Sequence, residues 1–246
     1  YDSNNVTLDG DLSQSFAEDI QKRFEAINFD YYRVSDGNDL GMLNHVIDLG
    51  KKSLKPALIE VKTIIGAGSN WQGTNQVHGK PLLKDDIENL RKLFNIKKAF
   101  FVPDEIYQYA SSKLDSRKFL DEKSNDSINL ELDFTDLYEM NEELRVSGGK
   151  VLKRIVENNS LVIGGSADLG SSTKTLFEDL NDFNYKNYQG KDIWYGVREH
   201  AMGTITNGLD LSRLRPFCST FLVFSDYMKP AIRLAAIMNI PSLFIF

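Results

Sequence analysis

Short, almost uninterrupted apolar runs alternate with segments whose apolar residues recur every three or four positions, and this alternation most constrains how the chain can fold. Pro56-Ala57-Leu58-Ile59-Glu60-Val61 and Leu161-Val162-Ile163 are such runs, and Ser242-Leu243-Phe244-Ile245-Phe246 is another. A strand that is apolar on both faces must be covered on both, as in a parallel sheet between helix layers. Phe16, Ile20, Phe24 and Ile27 mark a helical face, with Ser15 and Glu18 spaced as a capping box. Asp30-Tyr31-Tyr32-Arg33-Val34 is strand-like. Asp36-Gly37-Asn38-Asp39 reads as a turn, with Asp39 capping a helix that carries Met42, Val46 and Leu49. Further helices are expected over 85–94, after Pro103, up to about Asn158 and over about 198–209. One more is expected between short apolar segments near Phe217 and from Ser242. The fold class implied is α/β with parallel sheets.

At 246 residues the chain is long enough for one to two domains. The polar, weakly periodic stretch 115–136 is the candidate linker. Residues 64–83 hold four glycines and no clear period. A loop of that length inside a compact domain is usually functional, and its Trp, Ile and Val argue against disorder. The 29 Lys+Arg against 35 Asp+Glu give a net charge of −6, which argues against a nucleic-acid or anionic-membrane partner. No run reaches the roughly 18 apolar residues of a membrane span. A single cysteine, Cys218, excludes an intrachain disulfide and fits a reducing compartment, hence the cytoplasm. The chain starts without Met and stops on a buried-strand pattern, so both ends are expected to be cuts in a longer protein.

General motifs narrow the chemistry. Gly66-Ala67-Gly68 is not a dinucleotide fingerprint, because position 71 is Trp; Gly79-Lys80-Pro81 is not a phosphate loop. With three histidines and one cysteine, a His/Cys metal cage is nearly excluded, and any metal would be a hard cation on oxygen ligands. Several residues stand out, each with a plain structural alternative. His78 lies in the glycine-flanked loop, where backbone could satisfy it. Glu199 opens an apolar helix and could merely complement the helix dipole. Phe221, Phe224 and Tyr227, three apart, could be a core stripe. Arg145 could be a surface charge, and Asp168 a turn cap.

Taken together, these segments resemble the transketolase family of thiamine-diphosphate enzymes. The matching stretches are Arg198-Glu199-His200-Ala201-Met202-Gly203, Thr220-Phe221-Leu222-Val223-Phe224-Ser225-Asp226-Tyr227 and Gly164-Gly165-Ser166-Ala167-Asp168-Leu169. Val77-His78-Gly79-Lys80-Pro81-Leu82, the Asp36-Gly37-Asn38-Asp39 turn and the first ten residues add to them, in family order over essentially the whole chain. The resemblance implies two thiamine-diphosphate-binding-type parallel-sheet domains, both incomplete. Residues 1–112 would be the later part of a pyrophosphate-binding domain, 113–136 a linker, and 137–246 the first part of a pyrimidine-binding domain. The start of the family's metal motif would lie before Tyr1.

Residue roles follow from the same resemblance. Asn4 through its side chain and Val6 through its carbonyl would ligate Mg²⁺ or Ca²⁺. Ile65 and His78 would lie against the cofactor, with His78 also facing substrate. Glu199 would hydrogen-bond the cofactor's aminopyrimidine ring, walled by Phe221, Phe224 and Tyr227; an apolar wall helps an acid to share a proton. Asp168 would be a second cofactor-side acid. Arg145 and Ser172 would meet substrate phosphate, for which an Arg fork is suited. Ser172 stands in a looser turn than the family's, and Gly148-Gly149 suggest that Arg145 precedes its helix. The implied activity is transfer of a two-carbon ketol unit between sugar phosphates in the pentose phosphate pathway, by a homodimer with its site at the subunit interface. Dihydroxyacetone synthase, 1-deoxyxylulose-phosphate synthase and a non-catalytic assembly or regulatory relative are the alternatives.

Overall fold

A computed structural model describes residues 1–122, 131–137, 139 and 141–246. The chain forms two compact units, Tyr1–Lys113 and Leu114–Phe246. In the first, β1 (Asp2–Ser3) is followed by α1 (Ile20–Ala26), β2 (Asp30–Val34), α2 (Leu40–Lys52), β3 (Ala57–Lys62), α3 (Lys84–Leu93) and the start of α4 (Asp104–Glu122). The sheet order is β1-β3-β2, all parallel, with Asp2 opposite Val61 and Val34 opposite the same Val61. Asp39 caps α2 by accepting the Met42 N–H at 2.9 Å, as its spacing predicts.

The cap of α1 differs from the expected one. Ser15 ends a 3-10 turn over Leu12–Gln14 instead, and the Phe16 N–H is spent on the Leu12 carbonyl. Asp19 therefore takes over as cap, accepting the Lys22 N–H at 3.1 Å, and the helix starts at Ile20 rather than Phe16. The expected linker, 113–136, is helical as far as Glu122, and its residues 123–130 lie outside the described residues.

The second unit contains α5 (Leu144–Asn158), β4 (Val162–Ser166), the single turn α6 (Gly170–Thr173), β5 (Asp192–Trp194), α7 (Glu199–Leu211), β6 (Arg215–Ser219), α8 (Lys229–Met238) and β7 (Leu243–Ile245). Its sheet order is β5-β4-β6-β7, again wholly parallel. Adjacent residues of β6 divide the core between the two faces of the sheet. Phe217 packs with Leu152, Val156, Val162 and Phe177. Cys218 packs with Ala167, Tyr195, Met202 and Met228. Lys191 donates to the Val156 and Asn159 carbonyls at 2.6 and 2.7 Å, satisfying the C-terminal end of α5.

Two expectations are corrected here. Strand β4 continues past the apolar run Leu161-Val162-Ile163, through Gly164 and Gly165 to Ser166. A Cβ at Gly165 would overlap the Ile193 carbonyl of β5, so glycine lets this central strand lie between its neighbours. Arg145 lies inside α5, not before it. The helix tolerates Gly149 because the Lys174 backbone passes where a Cβ would stand.

Candidate functional site

All strands within each unit are parallel, so the loops leaving their C-terminal ends share one edge, where open α/β sheets carry ligands. In the second unit these loops hold Asp168 after β4, Glu199 after β5 and Phe221 after β6. A cavity of about 510 Å³ there is lined by Ala167, Asp168, Leu169, Val197, Glu199, Phe224 and Tyr227. Glu199 is the first residue of α7 and is 8% exposed. Among the described residues its carboxyl has no hydrogen-bond or ion-pair partner, and its oxygens keep some access to solvent. The positive end of the α7 dipole lies beside it.

Asp168 stands at φ 61°, in the left-handed region where few non-glycine residues sit. Its turn is held by Ser166, whose Oγ donates to the Ser219 carbonyl at 3.1 Å and accepts the Leu169 N–H at 3.0 Å. Below it, the hydroxyls of Thr173, Thr175 and Ser219 form a buried cluster, with Thr175 and Ser219 2.5 Å apart.

The aromatic set is a surface stack, not a core stripe. Leu222–Tyr227 is a 3-10 helix, in which residues three apart fall on one face. Phe221 and Phe224 stack at 6.1 Å between ring centroids, and Phe224 and Tyr227 at 6.4 Å. Phe221 is 39% exposed and Tyr227 66%. Phe224 and Tyr227 share the Glu199 cavity, whereas Phe221 lines another, of about 470 Å³, with Arg145, Ser172 and Phe246. Arg145 pairs with Glu143 and donates to the Ser172 carbonyl at 3.3 Å. The stack thus runs from a cavity holding two acids to one holding an arginine.

In the first unit the sequence-derived residues fall on two loops. Asn4 and Val6 leave β1, and the Asn4 Oδ1 accepts the Val6 N–H at 3.0 Å. The bonds Thr7 N–H to Gly10 O and Leu12 N–H to Asn5 O flank the Val6–Asp11 bridge, so that bridge does not use the Val6 carbonyl. Two oxygens on one short loop suit a hard cation, which takes about six or more in all. Among the described residues no group of three His, Cys, Asp or Glu could hold a metal. Ile65 and His78 lie on the loop after β3, the neighbour of β1. Asn75 on that loop donates to the Leu8 carbonyl at 3.3 Å and so ties the two loops together. The His78 Nδ1 is buried with no hydrogen-bond partner among the described residues.

Sequence reasoning missed several residues here. Leu169 and Val197 line the Glu199 cavity with no signal beyond their neighbours. Asp192 opens β5, is 3% exposed, and lines a cavity of about 300 Å³ with Asp168 and Trp194. Burial pushes its carboxyl up to about 6 from an ordinary 3.8; a bond from the Phe177 N–H pulls down and the Asp182 charge pushes up further. The folded state thus keeps a proton that the unfolded chain has already released. Stability from this site is full below about pH 4 and lost as pH rises to about 6, a loss of roughly 3 kcal/mol. Asp192→Asn is therefore expected to raise Tm by roughly 5 °C or more at pH 8 and to leave it unchanged at pH 4. Thermal melts that shift equally at both pH values would contradict this account.

Comparison with known proteins covers both units. Residues 1–138 match the family model described as transketolase, thiamine diphosphate binding domain. Residues 143–246 match the one described as transketolase, pyrimidine binding domain. The transketolase of Bacillus subtilis strain 168 is 39% identical over 277 aligned positions, which take in 100% of this chain and 42% of that protein. That of Aquifex aeolicus strain VF5 is 38% identical, over 100% of this chain and 39% of its own length. The chain thus spans about two fifths of the relatives it matches. Among solved structures, the Pichia stipitis transketolase complex with sedoheptulose 7-phosphate superposes with TM-score 0.87 at 29% identity, covering 99% of this chain and 41% of that one. The Campylobacter jejuni transketolase superposes with TM-score 0.83 at 34% identity, covering 100% and 41%.

Proposed function

This chain belongs to the transketolase family, and from that premise we propose that its complete gene product transfers a two-carbon ketol unit from a ketose phosphate to an aldose phosphate. The supporting observation is Glu199, an acid of low exposure with no hydrogen-bond or ion-pair partner among the described residues, sharing a cavity with Phe224 and Tyr227. When bound, thiamine diphosphate supplies the carbanion chemistry. The chain's own residues orient and polarise it. Glu199 would hold the aminopyrimidine ring and share a proton with it through its carboxyl, and Phe224 and Tyr227, continued by Phe221, would give that ring an apolar wall. Asp168 faces the same cavity as the second acid.

On the first unit, the Asn4 side chain and the Val6 carbonyl would supply oxygen ligands to a divalent cation, Mg²⁺ or Ca²⁺. Ile65 packs against the cofactor. His78, with its Nδ1 unsatisfied, donates to phosphate or to a developing oxyanion. Arg145, with Ser172 beside it, receives the sugar phosphate. Exposed Val197, Leu222, Val223 and Tyr227 around the acid's cavity support a homodimer that covers this surface at the subunit interface. The single cysteine supports a cytoplasmic setting, where the pentose phosphate pathway would use the enzyme. Among the described residues no helix is long and apolar enough to cross a membrane.

The direct test is a coupled assay of the complete gene product with xylulose 5-phosphate and an aldose phosphate, with and without thiamine diphosphate. Cofactor-dependent ketol transfer is expected, and its absence would refute the assignment. His78→Ala is expected to weaken binding of cofactor or donor sugar about tenfold, the scale of one lost hydrogen bond. Calorimetric titrations that give unchanged affinities for both would remove His78 from the site.

A further inference from the structure

The most deeply buried acid among the described residues, Asp86, has not yet been assigned a role. Asp86 stands in the first turn of α3 and is 1% exposed. Its Oδ1 accepts the backbone N–H of Asn70 at 2.8 Å. Its Oδ2 is buried and has no hydrogen-bond partner among the described residues. An unpaired buried oxygen costs free energy that an apolar side chain would avoid. The contact with Asn70 is what the acid gains in exchange.

Asn70 belongs to the loop between β3 and α3, which contains no strand or α-helix. The loop is nevertheless built. Ser69 Oγ donates to the Gly66 carbonyl at 2.7 Å, the Gly68 N–H to Gln72 Oε1 at 2.9 Å, and the Gly73 N–H to the Ile65 carbonyl at 2.8 Å. These bonds fold the loop on itself but do not fasten it to the helix beneath. Gly68, at φ 82°, lies so close to α3 that a Cβ would come within 2.7 Å of Leu90. Asp86 also lines a cavity of about 200 Å³ with Trp71, Gln76, Val77 and Lys80, directly under the segment that leads into His78.

We propose that Asp86 is a positioning residue that fastens this loop to α3 through the Asn70 amide and so sets the places of Ile65 and His78. Its relevance to turnover rests on the reading of Ile65 and His78 as cofactor-facing residues. Fastening by the Asn70 bond and by the tight Gly68–Leu90 approach leaves the loop one seating on the helix. Without the acceptor the loop keeps its internal bonds and loses its anchor.

Two substitutions in the complete gene product separate anchoring from general stability. Asp86→Asn retains an acceptor for Asn70 and places a donor at the unpaired position. Asp86→Leu fills the adjacent cavity and removes the acceptor. Hydrogen exchange across 64–80 is expected to speed up about tenfold or more in Asp86→Leu, with exchange in β2 and β3 unchanged and Tm equal to or above that of the parent. Its dissociation constant for thiamine diphosphate is expected to rise about tenfold, while kcat at saturating cofactor stays within about threefold. Asp86→Asn is expected to match the parent in loop exchange and affinity. Unchanged loop exchange in Asp86→Leu, or equal loosening in both variants, would overturn the proposal. Loosened exchange with unaltered cofactor affinity would uphold the anchor and instead refute the reading of Ile65 and His78.

Discussion

Glu199→Gln in the complete gene product is expected to cut kcat by about 10²- to 10⁴-fold while leaving the dissociation constant for thiamine diphosphate within about threefold, the scale of a lost acid–base partner. The substitution keeps size and a hydrogen-bonding end and removes only the ability to exchange a proton. The residue is 8% exposed and its carboxyl has no partner among the described residues, so no described acid or base is hydrogen-bonded to it and ready to substitute. Asp168, the other acid of the cavity, follows a different strand on a turn held by Ser166. Steady-state kinetics with calorimetric titration of the cofactor decide the matter. A kcat within about threefold of the parent would remove Glu199 from the chemistry. A comparable loss confined to cofactor binding would make it a binding residue only.

Phe217→Ala is expected to cost about 3–5 kcal/mol, the range for truncating a buried aromatic ring. Phe217 is 1% exposed at the middle of β6, and its ring joins α5 to β4 and to Phe177. Its strand pairs with β4 on one side and β7 on the other, and it feeds the aromatic stack at its C-terminal end. The cavity left by the ring therefore opens in the core on the face that α5 covers. Urea unfolding followed by Trp194 fluorescence reports the second unit, and Trp71 fluorescence the first. The Trp194 transition should move to lower urea with the Trp71 transition in place. A loss below about 1 kcal/mol would mean that the helix layer closes over the missing ring.

Much of the architecture could be read from local pattern. Asp39 caps its helix because capping needs only a side-chain oxygen and a nearby N–H. Strands β3 and β7 lie where apolar runs put them, and β2 where Asp30–Val34 reads as strand-like. Where pattern failed, a competing backbone bond or a neighbouring strand decided. Ser15 lost the cap of α1 to Asp19 because the 3-10 turn had already used the backbone before it. β4 reaches Ser166 because β5 and β6 close on its glycines, and Asp192-Ile193-Trp194 is too short and too polar at its start to announce a strand.

The sequence by itself determined the fold class, the family and the set of chemically capable residues, because periodicity, capping and motif spacing are properties of neighbouring positions. Only the tertiary structure decided how those residues are grouped and which are left without partners. It put Glu199 with Phe224 and Tyr227 but Phe221 with Arg145, exposed the aromatic stack, and buried Asp86 and Asp192. The reason is that burial and pairing are set by strands and loops tens of residues apart, and the cost of an unsatisfied polar group exists only once those segments have excluded water from it.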